Sequence, residues 1–186
     1  MNIRKFMAIV VALVSVLAAA VPSLAASSET LANVRDATAA YSDPSAALAA
    51  GYELLTDAAD IACIDEPGAG AMGIHYVKGA LVQSGAIDPA RPQALVYERQ
   101  DTGGLHLVAV EYVAIQAAWD STHSAPPTLF GQKFSTTPVD NRYGLPAFYS
   151  LHALIGKDNP QGTFNMWNPS VSCADGAQAG EMEMAH

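Results

Sequence analysis

This sequence of 186 residues lacks the short motifs by which many enzymes are identified. It has no HExxH zinc motif, no GxSxG nucleophile elbow and no CxxC pair. The glycines of segment 68–73 are not followed by the lysine and the spacing that a phosphate-binding loop needs. The sequence therefore names no reaction, and its chemistry has to be inferred from where single residues fall.

Basic residues are also scarce. The chain has 9 Lys and Arg against 18 Asp and Glu, which gives a formal net charge of −9. Removal of an N-terminal segment that holds Arg4 and Lys5 takes this charge to −11. We do not expect such a chain to bind nucleic acid or anionic lipid through non-specific electrostatics. The negative charge can attract metal cations, and it equally suits a chain that only needs to stay soluble.

Long apolar runs are absent except near the N-terminus. There the two basic residues precede an apolar run over 6–21, and small residues follow around Ala25 and Ala26. This order predicts a secretory signal peptide at 1–26. The alternative is an uncleaved membrane anchor, which needs an apolar run of about 20 residues. We expect a secreted or periplasmic protein with no stable membrane insertion after cleavage.

Cysteine occurs only twice, as Cys63 and Cys173. A lone pair of cysteines in an oxidising compartment usually forms a disulfide. The two residues are too far apart in the chain to resemble a zinc-binding pair. A loop of this length stabilises a fold by roughly 4–5 kcal/mol in the chain-entropy model. We therefore predict a Cys63–Cys173 disulfide.

What remains after the signal peptide is about 160 residues, enough for one domain with its own core. Periodicity predicts helices over 27–42 and 44–50, and strands over 72–77, 94–99, 105–114, 147–155 and 164–167. Segments 63–73, 78–93 and 120–146 are predicted to be irregular. The expected fold is α+β, with N-terminal helices packed on a mostly antiparallel sheet. It occupies 27–173 and is followed by a flexible tail over 174–186.

The strand over 105–115 carries one charge on an otherwise apolar face. Strict alternation places Glu111 there, together with Leu105, Leu107, Ala109, Val113 and Ile115. A buried lone carboxylate needs a partner, which can be a metal, a histidine, an arginine or backbone donors. Glu98, on the other arm of the predicted hairpin, lies either near Glu111 or at the rim beside the turn.

Two histidines have similar settings. His75 follows a glycine-rich segment, and His152 lies in a predicted strand. Together with Glu111, and with Glu98 as a further candidate, they form a ligand set that suits zinc, iron(II) or copper. We predict a divalent metal, zinc or copper, or a small ligand at this site. The alternative is that both histidines are core residues satisfied by hydrogen bonds to Glu111 or to the backbone.

Other candidate sites rest on weaker patterns. Ser150 lies two residues before His152, but a hydrolytic triad also needs an oxyanion hole and a residue that orients the base. Methionines alternate near the terminal histidine in 181–186, a composition that suits copper. Aromatic residues are available to line a small-molecule groove or to fill a core, namely Trp119, Phe130, Tyr143 and Trp167. Whether the protein is an enzyme stays open. The rival hypothesis is a non-catalytic interaction protein of the cell envelope that uses segment 120–146.

Several short segments are similar to those of a known group of proteins. They are 37–43, 49–52, 72–77 (MGIHYV), 110–112 (VEY), 129–132 (LFGQ), 159–164 (NPQGTF) and 168–173 (NPSVSC). Together they resemble a family of uncharacterised exported bacterial proteins, over most of the chain from about Val34 to Cys173. The resemblance implies an exported single domain, and it implies no particular activity.

Overall fold

The computed structural model describes residues 24–173, with side chains described from residue 30 onward. Most of the predicted signal peptide and the whole predicted tail over 174–186 lie outside the described residues. The expected α+β architecture is confirmed: a few short helices accompany one large antiparallel sheet. Within residues 24–173 no helix combines the length and the apolar character needed to cross a membrane.

The helices and strands follow one another in an irregular order. The helices are α1 Leu24–Thr38, α2 Pro44–Ala49, α3 Gly79–Ser84 and α4 Gln116–Asp120, with a 3₁₀ turn over Ala39–Ser42. The strands are β1 Glu53–Leu54, β2 Cys63–Glu66, β3 Gly70–Val77, β4 Ala94–Arg99, β5 Leu105–Ile115, β6 Thr128–Leu129, β7 Gln132–Lys133, β8 Ser135–Thr137 and β9 Phe148–Leu154. The main sheet has the order β1-β3-β4-β5-β9-β8, and β2 also pairs with β3. All these pairings are antiparallel, and β6 and β7 form a separate hairpin.

The N-terminal helices pack on one face of the sheet because each has an apolar side. Leu31 and Val34 of α1 are buried, and α2 buries Ala47. Helix α2 begins after Asp43, whose carboxylate accepts a hydrogen bond from the Ser45 backbone N–H, as expected of an N-cap. This face holds the larger core, which includes Ile74, Tyr76, Leu95, Tyr97, Val110, Tyr112, Leu151 and Ala153.

The opposite face of the sheet has a smaller apolar cluster. It consists of Ala71, Val96, Val108, Ala109, Leu154 and Val171. The disulfide holds the C-terminal segment against this region, since Cys63 of β2 is bonded to Cys173 with their Cα atoms 5.7 Å apart. The predicted disulfide is thereby confirmed. Beyond the smaller cluster, the same face carries the polar side chains of the candidate site.

Strand β5 departs from the strict alternation assumed for it. Leu107 lies opposite Tyr97 and Ala109 lies opposite Val96, so Val108 is an extra residue in a β-bulge. The bulge reverses the direction of the side chains on its N-terminal side. Leu105 and Leu107 therefore pack in the larger core. The prediction that they share the face of Glu111 is wrong.

Four local predictions are wrong. Segment 120–146, expected to be irregular, contains the β6–β7 hairpin and β8, which pairs with β9. Segment 63–73, expected to be a loop, forms β2 and the start of β3, because the two strands pair with each other. Segment 78–93 contains the short helix α3. Residues 164–167 form no strand; instead the Asn159 side chain donates hydrogen bonds to the carbonyls of Asn165 and Trp167 and holds an irregular turn.

Candidate metal centre

Three strands bring the candidate ligands together on the second face of the sheet. His152 of β9 lies directly opposite Glu111 of β5, and residues paired in this way share a face. His75 comes from β3 and has to reach Glu111 across β4. The β4 residue opposite Glu111 is Ala94, whose single methyl group leaves room for the longer side chains to meet above it.

The ligand atoms form a compact triangle. The Nε2 atoms of His75 and His152 are 3.3 Å apart, and they lie 3.7 and 3.8 Å from Glu111 Oε2. The nearest point equidistant from all three atoms lies in their plane, about 2.1 Å from each of them, close to the usual zinc–nitrogen and zinc–oxygen bond lengths of about 2.0–2.2 Å. The three residues could therefore hold one metal ion.

Both histidines are in the state that a metal ligand requires. Their side chains are only 3% and 2% exposed, for His75 and His152 respectively. Burial lowers the pKa of each imidazole to about 4, although the charge of Glu111 acts in the opposite direction on His75. At neutral pH both rings are therefore neutral, and each has a nitrogen lone pair for a metal.

Glu111 is a buried carboxylate that has no charged partner near neutral pH. Its side chain is 14% exposed. Burial raises its pKa, while His75 and the Ser150 hydroxyl favour the ionised form. Among residues 30–173 its ion-pair partners are the two histidines alone, and both are neutral near pH 7. A buried carboxylate in this setting is costly, and a bound cation would offset the cost.

Gly73 shapes the side of the site next to His75. The Nδ1 atom of His75 is buried and makes no hydrogen bond to any described residue, although the Gly73 backbone lies close enough to favour the protonated ring. If Nε2 binds a metal, Nδ1 has to carry the proton, and a carbonyl is its usual partner. Gly73 has a φ of +116°, and a Cβ added there would lie 2.5 Å from the Tyr97 carbonyl oxygen. Only glycine suits this position.

An ion pair anchors the chain that borders the site. The Arg142 guanidinium donates two hydrogen bonds to Asp57 Oδ2, at 2.9 and 3.2 Å. The Ala58 N–H bonds to the Arg142 carbonyl, and the Leu55 N–H bonds to the carbonyl of His75. The segment around Arg142 is thereby tied to the strand that carries one of the ligands.

Tyr143, the next residue, belongs to this border. It is half-buried, and its pKa is raised first by burial and then by the charge of Glu111. The phenol is therefore a neutral hydrogen-bond donor at neutral pH. The sequence singled out Tyr143 only as a possible aromatic wall. Asp57 and Arg142 were missed, because no local pattern connects residues 85 positions apart.

Glu98, proposed as a further ligand, does not join the three residues. It lies at the rim of the hairpin opposite His106, the second of the two places open to it from the sequence. Its carboxylate accepts hydrogen bonds from Lys157 Nζ at 2.7 and 2.6 Å and from the Ser172 N–H at 3.2 Å. It thus fastens the C-terminal segment, and its charge is already balanced.

The remaining candidates lie apart or lack partners. Ser150 is buried on the face of Glu111, but in the described part of the chain no hydrogen bond joins it to a histidine. The exposed His123 stacks on Trp119, with ring centroids 3.8 Å apart. Phe130 packs against Tyr112 and Phe164 beside the larger core. The tail histidine and methionines of 181–186 lie outside the described residues.

Comparisons of the chain with protein-family models, with curated proteins and with solved structures found no match.

Proposed function

We propose that this protein binds a divalent transition-metal ion through His75 Nε2, Glu111 Oε2 and His152 Nε2. The observation that carries the proposal is the triangle of three ligand atoms separated by 3.3, 3.7 and 3.8 Å, formed by two neutral imidazoles and a buried carboxyl group. If the histidines are only core residues, the Glu111 carboxyl is either protonated or left without a charged partner. A bound dication would stabilise its ionised form.

The ligand types favour zinc or copper over the alkaline-earth ions. Calcium and magnesium prefer oxygen ligands in larger number, whereas imidazole nitrogen suits zinc, copper and iron. Two histidines and one carboxylate also occur as a zinc ligand set that leaves a fourth position for water or for another ligand. Water bound to such an ion is acidified, which would permit hydrolysis. The proposal itself is metal binding, with any reaction left to assay.

We also propose that the protein acts outside the cytoplasm, in a periplasm or in the secreted fraction. The disulfide supports this location, since cytoplasmic thiols are normally kept reduced. The order of charges and apolar residues over 1–26 supports it independently. The resemblance to exported bacterial proteins is consistent with the same proposal and adds no activity to it.

The first experiment is elemental analysis of the untagged protein, purified from the exported fraction without chelators. We expect about one zinc or copper ion per chain, lost in His75→Ala and in His152→Ala. His123→Ala is the matched control, because this histidine is exposed, stacks on Trp119 and does not belong to the ligand group; this variant should keep the metal. A wild-type protein that takes up neither zinc nor copper on incubation would disprove the proposal.

A second candidate function is that of a non-catalytic interaction protein of the cell envelope. One observation favours it: segment 120–146 exposes two large apolar side chains, Val139 at 60% and Leu145 at 40%. On this hypothesis Val139→Asp and Leu145→Asp abolish cross-linking to a specific envelope protein, while His75→Ala leaves it unchanged. Cross-linking that is the same in all these variants would eliminate the hypothesis.

A further inference from the structure

A polar cavity lies between the last turn of α1 and the segment that follows β9. Its volume is about 340 Å³, at the lower end of the range of about 300–1,000 Å³ that is typical of small-molecule sites. The residues that line it include Arg35, Lys157, Asp158 and Thr163, and they include none of the three proposed metal ligands. A lining of this polarity suits a small charged ligand.

Hydrogen bonds hold the walls of this cavity in place. Arg35 Nε donates to the Ile155 carbonyl at 2.7 Å, which joins α1 to the end of β9. The Leu154 N–H donates to the Thr163 carbonyl at 2.9 Å, so the segment after β9 folds back onto the strand. Walls that are fixed before a ligand arrives lower the entropic cost of binding it.

Two opposite charges in the lining have no partner. Lys157 is already paired with Glu98, whose carboxylate accepts its hydrogen bonds. Among residues 30–173, neither Arg35 nor Asp158 takes part in an ion pair, either with each other or with a third residue. Arg35 uses only Nε within the described chain, and Asp158 only its backbone carbonyl, which accepts from Asn168. The terminal nitrogens of the one and the carboxylate of the other are therefore available to a ligand.

A ligand that satisfies both charges has to carry both signs. A guanidinium with its terminal nitrogens free can bind a carboxylate through charge-assisted hydrogen bonds. The carboxylate of Asp158 accepts hydrogen bonds, and an ammonium group donates up to three. A simple anion would satisfy Arg35 but would bring a second negative charge into the cavity beside Asp158. An α-amino acid has both groups and is small enough for a cavity of this volume.

We infer that this cavity binds a small zwitterion of the α-amino acid type, whose carboxylate pairs with Arg35 and whose ammonium group pairs with Asp158. The inference does not depend on the proposed metal site, because the two sites share no residue. It gives the protein a second binding site, at the end of β9 and next to α1.

The test is an NMR titration of the isotope-labelled protein, purified from the exported fraction, with glycine and with acetate. Glycine is the smallest α-amino acid, and acetate lacks its ammonium group. Glycine should shift the backbone amide signals of residues 155–163 and bind in the millimolar range, because a ligand of few atoms forms few contacts. In Arg35→Gln and in Asp158→Asn its dissociation constant should rise by about fivefold, the upper end for an ion pair that solvent reaches. Acetate should bind to Asp158→Asn at least as tightly as to the wild type.

Arg91→Gln and Asp101→Asn are the matched controls, because both residues are exposed and neither lines the cavity. Both variants should bind glycine as the wild type does. If Arg35→Gln does not fold, the comparison of glycine with acetate in Asp158→Asn decides the question alone.

Three results would overturn the inference. The first is a titration in which glycine shifts no amide signal of residues 155–163. The second is equal affinity for glycine and acetate that Asp158→Asn leaves unchanged, which would make the cavity a site for anions only. The third is a set of shifts confined to the surroundings of the metal triangle, which would show that glycine binds through the metal.

Discussion

His75 and His152 are 77 positions apart in the chain, yet their Nε2 atoms are separated by only 3.3 Å. At this distance one ring nitrogen has to donate a proton to the other if both rings are neutral and no metal is present. Binding of a metal removes this requirement, because both Nε2 lone pairs then point to the ion. The contact thus links the tautomers of the two rings to occupation of the site.

Glu111→Gln tests whether the carboxylate serves metal binding or the fold. The amide has nearly the same shape but is a poor metal ligand, so we expect zinc affinity to fall by at least the roughly 10–100-fold that is typical when a residue supporting a ligand is replaced. In chelator the free energy of unfolding should stay constant or increase, because a neutral amide replaces a carboxyl group whose ionised form burial disfavours. Competition with a chromophoric chelator and urea unfolding measure the two effects.

The exposed Glu53→Gln provides the control for both measurements. The opposite result, a less stable protein with unchanged zinc affinity, would assign Glu111 a purely structural role.

The metal-free protein should lose stability as the pH falls from about 6.5 to about 4. The buried imidazoles of His75 and His152 have pKa values of about 4, against 6.5 for an ordinary histidine. In this window the unfolded chain binds protons that the folded protein does not, so the free energy of unfolding decreases as the pH is lowered. At pH 5 each histidine contributes a loss on the order of 2 kcal/mol.

Glu111 acts in the opposite direction, because its raised pKa lets the folded protein hold a proton that the unfolded chain has released. We therefore expect the pH dependence to be steeper in Glu111→Gln than in the wild type. Urea unfolding at pH 7 and pH 5, in chelator, checks both slopes. If the stability of Glu111→Gln does not change between these pH values, His75 and His152 are not two buried neutral imidazoles.

Gly73→Ala should weaken both the fold and the metal site. The added methyl group meets the Tyr97 carbonyl, and the backbone has a positive φ that alanine rarely adopts. We expect a loss of about 2–4 kcal/mol in the free energy of unfolding. Zinc affinity should fall as well, because Gly73 sets the backbone beside His75. Gly79→Ala, where the new methyl meets nothing within 4 Å, is the control and should not lower stability. Similar unfolding curves for the two variants would show that the Gly73 backbone is not constrained.

Reduction of the Cys63–Cys173 disulfide should lower the free energy of unfolding by about 2–5 kcal/mol, the range typical of native disulfides. The stabilisation is large because the bond closes a loop with a sequence separation of 110. Thermal unfolding with and without a thiol reductant measures the difference. The double variant Cys63→Ser, Cys173→Ser should have the same stability as the reduced protein, and addition of the reductant should not change it. A reduced protein as stable as the oxidised one would show that packing alone holds the C-terminal segment.

The sequence predicts those features that depend on local pattern or on simple counting. Strands β4 and β5 follow from their β-branched and aromatic residues, and the disulfide follows from two cysteines in a chain that reads as exported. The bulge at Val108 could not be predicted, because the register with β4 fixes it and the local alternation hides it. For the same reason Leu107 was placed on the wrong face.

The ligand triangle was predictable only in part. His75, Glu111 and His152 stand out as polar residues in apolar strands, so their burial could be expected. Whether they meet depends on strand order, which the sequence does not state. Glu98 is an example. It is also an acidic residue in an apolar strand, but it lies beside the hairpin turn and pairs with Lys157.

The arrangement of the ligands has a consequence for the newly made chain. Synthesis proceeds from the N-terminus, so Cys63 and His75 exist well before β9 and the C-terminal segment are made. Until then Cys63 lacks its disulfide partner, and His75 and Glu111 lack His152. The last third of the polypeptide thus completes both the covalent bond and the polar cluster. A chain that ends before residue 148 therefore has one of the two cysteines and two of the three ligands.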